Sequence, residues 1–532
     1  MKKLLNIFAS LLLAAIGMVA CSSDDDEVKE DFLKVSPTTI NVSEAAQDVT
    51  VVIESSGGSG ISVTLSDRSW CNYVVAGVVP KGTRNTEYLF HIAENPNKES
   101  RQTIFTVVCG QKTEKVTITQ AGSSKTEPDP DEPKDPVTPD NPDTPTDGSV
   151  AFAKSMGLGW NLGNQMDAWS NNVANETCWG NKKCTQATMD AVKAAGITTV
   201  RIPVTWLGKY GAAPDYTIDA AWLDRVAEIV GYAKNAGLKA IINMHHVGAD
   251  SKHWLDIKGA GKSAEKNAEI CAQVTAMWTQ IANKFKDEGE YLIFEAFNEI
   301  HDGGWGWGDN RTDGGKQYAA LASWNQAFVD AVRATGGNNA TRYLGIPAYC
   351  TNINIACFGD PWNTTGIGTR MALPNDPATD RLLVSVHNYD LAEYSLQAKF
   401  GEWGHTSTQK DTKDREKNIQ TDFKNMTNAF TSKGIGIYVG EFGCVNRKSE
   451  RDRAFQKYFL EYYCKVAHDA GIPCVLWDNG STGTGNECHG YFNHATGAYV
   501  GYAEEVVALM VKAWTNEDSS YTLQSVYDNA PE

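Results

Sequence analysis

The chain has 532 residues, which is more than one hydrophobic core normally supports, so two or more domains are expected. Its net charge of -17 argues against a nucleic-acid partner, because binding a phosphate backbone requires a basic surface. The 12 cysteines are scattered without a C-x-x-C pair, which indicates neither a disulfide framework nor a zinc cluster. A bond between Cys178 and Cys184 stays open.

Residues 1–20 are typical of an export signal, because two lysines precede an apolar stretch that ends in small residues. Cys21 follows, and the "MVAC" ending resembles the lipobox of bacterial lipoproteins, which implies that Cys21 is lipidated. The acidic arm at 21–30 resembles the signal that sends some lipoproteins to the outer face of the outer membrane; alternatively, it is a solvated arm. We therefore expect an exported outer-membrane lipoprotein at the cell surface, anchored in that membrane through its lipid.

Residues 31–122 alternate apolar and polar side chains in runs such as "VTVVIES", "RQTIFTVV" and "KVTITQ", separated by clusters of Gly, Asn, Pro and Ser. This pattern predicts a small immunoglobulin-like β-sandwich. The run from "NPNKESRQTIFTVVCG" to "KVTITQAG" resembles the BACON domain. BACON domains are sometimes called carbohydrate-binding, but no row of exposed aromatic residues is apparent, so a spacer role is favoured.

Residues 123–149 form a linker rich in Pro and Asp, with seven prolines, eight acids and two bases. Together with residues 22–31 (six acids, one base), this segment accounts for -6 and -5 of the net charge of -17. The acidity therefore describes two tethers rather than the active surface. A charged, proline-rich spacer is semi-rigid.

Residues 150–520 repeat one join, in which a helix is followed by a glycine and an apolar strand, as in "AVKAAGITTVRIPV" and "AFTSKGIGIYVGEF". Glycine accepts the left-handed conformation that ends many helices. With "MGLGWNLGN", "TRYLGIPAY" and "RLLVSVHNYD", the count reaches eight strands, which predicts an α/β fold of the (β/α)8 TIM barrel type. A doubly wound open sheet is the alternative.

Polar residues close seven of these eight apolar strands, and the active site of a (β/α)8 barrel lies at the carboxyl ends of its strands. The residues are Asn161 and Asn164, Arg201, His245 and His246, Asn298 and Glu299, His387 and Tyr389, Glu441, and Trp477. Two carboxylates, on strands four and seven, would face each other across the barrel mouth. A pair of carboxyl groups that flanks one cleft is what glycoside hydrolysis requires.

The motifs "TVRIPVTW", "FEAFNE", "VSVHNYD", "YVGEFG" and "VLWDNG" resemble those of glycoside hydrolase family five, in family order across nearly all of residues 150–515. The resemblance implies a retaining mechanism with Glu299 as general acid/base and Glu441 as nucleophile. It also implies that Asn298 holds the sugar 2-hydroxyl and that His245 and His387 line the subsite of the sugar under attack. Arg201 and Tyr389 would orient Glu441, and Trp477 would lie beneath the ring.

On electrostatic grounds, Arg201 and Tyr389 should lower the pKa of Glu441, and the charge of Glu441 should raise the pKa of Glu299. The mechanism needs no cofactor. The adjacent His245 and His246 could suggest a metal, but no Cys or acidic third ligand stands at helical spacing from them, so no metal is expected.

The stretches "GWNLGNQMDAW", "MALPNDPATDRLLVSVHNYD" and "EWGHTSTQ" resemble the fourth subfamily, whose members cut β-1,4-glucans that include xyloglucan and mixed-linkage glucan. We therefore expect a monomeric endo-β-glucanase that acts on plant-type polysaccharide. Asn164, His246 and Trp305 are further candidate contacts to the substrate. Trp305 and Trp307 lie in the loop that follows Glu299, near the leaving-group side, where they could stack on sugars; alternatively, they brace a glycine-rich loop. A β-mannanase and a non-catalytic glycan-binding lipoprotein remain the alternatives.

Overall fold

The computed structural model describes residues 32–44, 47–55, 61–67, 70–78, 84–93, 95, 97–122, 148–247, 254–359, 371–389 and 391–532. The predicted signal, Cys21 and the acidic arm lie outside the described residues, as does the linker as far as residue 147. The chain divides into two compact units, Met1–Pro139 and Asp140–Glu532.

The first unit contains two four-stranded sheets, in the orders β1-β3-β6-β5 and β2-β8-β7-β4. Its strands are β1 (Leu33–Ser36), β2 (Thr39–Val42), β3 (Gln47–Ser55), β4 (Ile61–Leu65), β5 (Cys71–Val78), β6 (Arg84–Ile92), β7 (Arg101–Cys109) and β8 (Lys112–Gln120). Sequence alternation had indicated six of the eight; β1 and β5 were missed. In β5 the run "CNYVVAGV" is too uniformly apolar to show a period of two.

The core of this unit contains the aromatic residues Trp70, Tyr88, Phe90 and Phe105, all of them buried. The last three pack with Tyr73 as edge-on and tilted rings whose centroids lie 4.9–5.5 Å apart. Aromatic rings packed in this way contribute to stability, and they are not available at the surface as a platform for sugar.

The second unit is a closed barrel of eight parallel strands in the order β12-β13-β14-β15-β16-β17-β18-β9, which confirms the predicted (β/α)8 fold. The barrel strands are β9 (Leu158–Asn161), β12 (Thr199–Ile202), β13 (Lys239–Asn243), β14 (Leu292–Glu295), β15 (Leu344–Asn352), β16 (Leu382–Asn388), β17 (Gly436–Phe442) and β18 (Cys474–Leu476). A small hairpin, β10 (Trp169–Ser170) and β11 (Val173–Ala174), follows β9.

The helices around the barrel are α1 (Gly148–Met156), α2 (Gln186–Ala194), α3 (Ala220–Asn235), α4 (Ile257–Ala260), α5 (Ala264–Lys284), α6 (Lys316–Ala334), α7 (Ile353–Phe358), α8 (Ala392–Ser395), α9 (Glu416–Ala429), α10 (Glu450–Ala470), α11 (Ala503–Thr515) and α12 (Leu523–Asp528). Three 3-10 turns add Asp309–Arg311, Gly337–Ala340 and Thr431–Lys433. In the described part of the chain, no helix combines the length and apolarity that crossing a bilayer needs.

The folded unit extends beyond both of its predicted limits. Ser149, assigned to the linker, lies in α1, where its hydroxyl donates to the Gly434 carbonyl and accepts from the Gly436 amide. At the other end, Val526 of α12 is buried in the barrel core, past the predicted end at residue 520. Cys178 and Cys184 are free thiols, so the disulfide left open by their spacing is not formed.

The contact between α1 and the start of β17 predicts opposite outcomes for two glycine substitutions. A Cβ at Gly436 would lie 2.3 Å from the Ser149 carbonyl oxygen, whereas a Cβ at Gly231, inside α3, would meet nothing within 4 Å. We expect Gly436→Ala to destabilise the protein by about 1–3 kcal/mol through overpacking. Gly231→Ala should stabilise it by up to about 1 kcal/mol through helix propensity. Thermal unfolding of both variants tests this; similar shifts would contradict it.

Candidate active site

The polar residues that close the barrel strands meet at one end of the barrel. Arg201 lies on β12, His387 on β16 and Glu441 on β17. His245, Asn298, Glu299, Tyr389 and Trp477 lie within four residues after the strands that carry them. Because parallel strands all present their carboxyl ends to one face, these side chains share one cavity.

The centre of the site is a fully buried ion pair between Arg201 and Glu295. The two guanidinium nitrogens Nε and Nη2 donate to Glu295 at 3.1 and 2.7 Å. Glu295 also accepts from the Asn243 amide (2.9 Å), the Ser385 hydroxyl (3.0 Å) and the Tyr438 hydroxyl (2.6 Å). Burial raises the pKa of Glu295, but Arg201 outweighs it, so the net pKa is lowered and the carboxylate stays charged.

The remaining hydrogens of Arg201 bind three further groups. Its Nη1 donates to Glu441 Oε1 at 2.6 Å and to Asn161 Oδ1 at 3.0 Å, and its Nη2 donates to Asn298 Oδ1 at 2.9 Å. The Tyr389 hydroxyl donates to the second oxygen of Glu441 at 3.1 Å. Glu441 is therefore held by two donors, one on each oxygen.

Glu299 and Glu441 flank His387. The His387 Nδ1 lies 2.8 Å from Glu299 Oε1 and 3.7 Å from Glu441 Oε2. One oxygen of each carboxylate and the ring nitrogen all lie within 4.8 Å of one another. His387 Nε2 is buried and without a partner among the described residues. This favours the tautomer with the proton on Nδ1, because a buried ring N–H without an acceptor costs more than an unused lone pair.

The two carboxylates differ in their environments. The Glu299 side chain is 21% exposed, whereas that of Glu441 is 7% exposed. Burial raises the pKa of Glu441, and the charge of Glu299 adds to this, against the lowering by His387 and Arg201. Burial also raises the pKa of Glu299, but the hydrogen bond and the charge of His387 outweigh it, so that its net pKa is lowered.

These directions are opposite to those expected from the sequence, so that expectation is wrong for the free protein. Its physical error was to assign the whole charge of Arg201 to Glu441. Glu295 neutralises that cation, and His387 points its Nδ1 at Glu299 rather than Glu441. Glu295, the last residue of β14, was not among the predicted site residues, and the orientation of the His387 ring cannot be read from its position on a strand.

The rings of Trp477 and His245 lie beside each other at this end of the barrel. Their rings are 5° from parallel with centroids 6.0 Å apart. A Cβ at Gly163 would lie 2.7 Å from Cη2 of Trp477, so a glycine is needed beside the indole. The Asn243 amide nitrogen, 3.3 Å from His245 Nδ1, makes that nitrogen an acceptor and leaves the proton on Nε2.

An acidic group that the sequence spacing did not reveal lies beside the two histidines. Asp167, on the loop after β9, has an oxygen 3.8 Å from His246 Nε2, and donor atoms of Asp167, His245 and His246 lie within 4.8 Å of one another. The backbone amides of Asn164 and Gln165 donate to Asp167. The Asp167 side chain thereby shapes this loop, and it is an acidic neighbour of the two histidines that their sequence spacing did not reveal.

The remaining two candidates lie at the rim. Asn164 has a left-handed backbone (φ 52°). Its carbonyl accepts from the Asn181 side-chain amide and its backbone amide donates to Asp167. Trp305 lines a cavity of about 450 Å³ together with Glu299 and His246.

Comparison with known proteins identifies the family. A model of the cellulase family (glycosyl hydrolase family 5) matches residues 164–483. The chain belongs to glycosyl hydrolase family 5. A second model, BACON (putative binding domain, N-terminal), matches residues 60–121.

Named relatives of this family 5 chain include endoglucanase B of Neocallimastix patriciarum, 37% identical over 361 residues, covering 65% of this chain and 68% of that protein. A solved "GH5-4 broad specificity endoglucanase" from Bacteroides salanitronis is 52% identical, with a TM-score of 0.66 over 70% of this chain and 97% of that one. A Bacteroides ovatus GH5 xyloglucanase in complex with a XXXG heptasaccharide is 25% identical, with a TM-score of 0.60 over 91% of this chain and all (100%) of that one.

Four residues that hold Arg201 in place in the family 5 site were not predicted from the sequence. They are Glu295, which pairs with Arg201, and Asn243, Ser385 and Tyr438, which donate to Glu295. A signal was present, because a glutamate inside the apolar run "YLIFEAF" is unusual for a buried strand. An acid at such a position implies a buried cation, and Arg201 was the available strand residue.

The bond from Tyr389 to Glu441 predicts a shift in the pH dependence of the family 5 activity. As the nucleophile expected from the sequence, Glu441 would have to be ionised to react, so kcat/KM should fall as the pH drops through its raised pKa. Tyr389→Phe removes a donor to the charged form and raises that pKa further. We expect the acid limb of kcat/KM to move to higher pH. Tyr232→Phe, which removes a hydroxyl bound to Glu228 on α3, is the control; an unmoved limb in Tyr389→Phe would contradict this role.

Proposed function

We propose that this chain is a retaining, endo-acting hydrolase of β-1,4-glucans. The observation that carries the proposal is the short separation of Glu299 and Glu441, which have carboxylate oxygens within 4.8 Å of each other. Retaining glycosidases hold their two carboxyl groups about 5–5.5 Å apart, whereas inverting enzymes leave about 6.5–9.5 Å for a water molecule. The short gap between Glu299 and Glu441 matches the retaining class.

Glu441 is proposed as the nucleophile. Both of its oxygens face donors, Arg201 and Tyr389, and neither donor can accept a proton from it. Burial raises the pKa of the Tyr389 hydroxyl well above its usual range, and the charge of Glu441 raises it further, so Tyr389 remains a neutral donor. The arrangement fixes one carboxylate oxygen for attack on the anomeric carbon.

Glu299 is proposed as the general acid and base. In the free site the His387 hydrogen bond favours its charged form. A bound glycan excludes water from the partly exposed Glu299 side chain, and loss of solvation favours the protonated form. Substrate binding thereby raises the pKa of Glu299, which the free site does not do. Once Glu441 is esterified by the sugar, its negative charge is gone, so Glu299 can lose its proton more readily and activate water.

The remaining contacts suit a sugar ring in the reacting position. Asn298 Oδ1 accepts from Arg201, which leaves the Asn298 amide nitrogen to donate to the sugar 2-hydroxyl. His245 presents its Nε2 proton to the cavity. Trp477 offers a flat apolar face, which suits the C–H surface of a pyranose. We assign these three side chains and His387 to the subsite of the sugar under attack.

The glucan class is supported by the names of the relatives, an endoglucanase, a broad-specificity endoglucanase and a xyloglucanase. A β-mannanase would use the same carboxylates and differ in how the 2-hydroxyl is read. A non-catalytic glycan-binding protein has no need of both Glu299 and Glu441 at this separation.

The roles of the two carboxylates can be separated with azide and 2,4-dinitrophenyl β-cellobioside. In Glu299→Ala, azide should intercept the glycosyl ester on Glu441 and give a β-glycosyl azide, with rescue of turnover. In Glu441→Ala, azide should take the place of the missing nucleophile and give the α-azide. We expect a loss of roughly 10²–10⁴-fold on polysaccharide from Glu299→Ala, because proton transfer typically contributes that much. The β-azide from Glu441→Ala would reverse the assignment.

The matching control is the wild-type protein on xyloglucan, mixed-linkage glucan, carboxymethylcellulose and galactomannan. Oligosaccharides released from a glucan support the proposal. Release from galactomannan alone would favour the mannanase, and binding without release from any of the four would favour the non-catalytic alternative.

We also propose that the protein is an outer-membrane lipoprotein anchored through Cys21, with the BACON unit as a spacer. The "MVAC" sequence and the acidic residues that follow it support the anchor. The burial of the aromatic residues in the sandwich core supports the spacer role.

Cys21→Ser should move the protein from the membrane fraction to the soluble fraction without loss of hydrolysis. Cys178→Ser is the control for substitution of a cysteine, and it should leave the distribution unchanged. Fractionation with labelled fatty acid gives the measurement. Cys21→Ser protein that stays in the membrane would contradict lipid anchoring at this residue.

A further inference from the structure

The loop that follows Glu299 exposes two large aromatic side chains. Trp305 is 57% exposed and Trp307 is 67% exposed. Exposed aromatic surface close to a cleft is typical of a binding site. The two tryptophans belong to one loop but have different surroundings.

The loop is held in a specific conformation by Asp302. Its carboxylate accepts from the amides of Gly304 (3.0 Å) and Asn310 (3.1 Å) and from the Gln317 side chain (3.3 Å). A Cβ at Gly308 would lie 2.1 Å from the same carboxylate. These bonds define where the tip of the loop lies before any ligand binds.

Trp305 has a left-handed backbone, with φ of 51°. This conformation is unfavourable for a bulky residue and persists only where the surroundings impose it. Its ring is stacked on that of His301, with centroids 4.1 Å apart and planes inclined by 30°. His301 is itself oriented, because its Nδ1 accepts from the Gly303 amide at 2.9 Å. The strained backbone and the backing ring together fix the indole.

The fixed indole forms a wall of the cavity of about 450 Å³. Its lining includes His245, Asn298, Glu299, His301, Asp302 and Trp305. The cavity reaches Glu299, and neither Glu441 nor Trp477 lines it. Because the general acid protonates the leaving-group oxygen, space beyond Glu299 and away from Glu441 receives the leaving sugar.

We propose that Trp305, backed by His301, is the stacking platform for the first glucosyl unit on the leaving-group side. The inference rests on the proposed function and adds a subsite to it. The ligand is a β-linked pyranose whose C–H face lies on the indole. Trp307 is not part of the subsite: it does not line the cavity, and the Arg311 guanidinium lies over its ring at 4.9 Å.

The test compares a substrate that has a sugar on the leaving-group side with one that does not. Cellopentaose places glucosyl units beyond the scissile bond, whereas β-cellobiosyl fluoride has only fluoride there and needs no general acid. We expect Trp305→Ala to lower kcat/KM for cellopentaose by roughly 10–100-fold, in line with the loss of an aromatic stacking contact. Its kcat/KM for the fluoride should change by less than about twofold, since no contact made by the fluoride is lost.

Two further variants separate stacking from support of the loop. Trp307→Ala removes an equally exposed indole from the same loop and should leave both substrates unaffected. Trp305→Tyr retains an aromatic face and should keep most of the activity on cellopentaose. Thermal unfolding of the three variants identifies any general damage to the fold.

Unchanged cellopentaose hydrolysis in Trp305→Ala, or equal losses on both substrates, would overturn the subsite while the proposed function stands. Equal effects of Trp305→Ala and Trp307→Ala would also overturn it. A wild-type protein that is inactive on both substrates would instead overturn the proposed function, and the subsite with it.

Discussion

The buried guanidinium of Arg201 is the constraint on which the site depends. A charge without solvent contact is tolerated only when it is paired and its hydrogens are all bound. Arg201 meets this requirement with groups from β9, β14 and β17 and from the segment after β14. Three strands from different parts of the barrel, β9, β14 and β17, thus hydrogen-bond to one cation on β12. Glu441 is positioned as one of its partners, and Glu295 holds the cation in place from the other side.

The division of charge among these groups determines the chemistry. Glu295 neutralises the charge of Arg201. Arg201 therefore orients the Glu441 carboxylate more than it lowers the pKa of Glu441. Burial lowers the pKa of Arg201, but Glu295 and Glu441 outweigh it and raise it, so the cation is permanent. Because its pKa is raised, Glu441 is suited to its proposed role by its fixed orientation rather than by a strongly stabilised charge. His387 lies between the two carboxylates, with its Nδ1 2.8 Å from Glu299 and 3.7 Å from Glu441.

The barrel and the residues at its strand ends could be predicted from the sequence, because helix–glycine–strand joins and apolar runs are local patterns. The sequence located Arg201, Glu299 and Glu441 for the same reason: each closes or lies within a short apolar run. It missed Glu295 and Tyr438, whose roles exist only once the barrel closes and the side chains of β12, β14 and β17 meet inside it. It also misjudged the pKa order of Glu299 and Glu441, since that order depends on which carboxylate His387 faces.

Residues in loops were harder to predict. Asp167 was not predicted because it lies in a loop far in sequence from His245 and His246. The strained loop around Trp305 could be anticipated from its glycines, but the stacking on His301 could not.

The most direct test of this account is the anomeric configuration of the first product, followed by ¹H NMR immediately after the enzyme is added to cellopentaose. Carboxylate oxygens within 4.8 Å of each other match the short separation of the two carboxyl groups in retaining glycosidases, so we expect hydrolysis to proceed by two displacements. The account predicts that the newly formed reducing end appears first as the β-anomer and mutarotates later. Initial release of the α-anomer would show a single displacement by water and would contradict the role of Glu441.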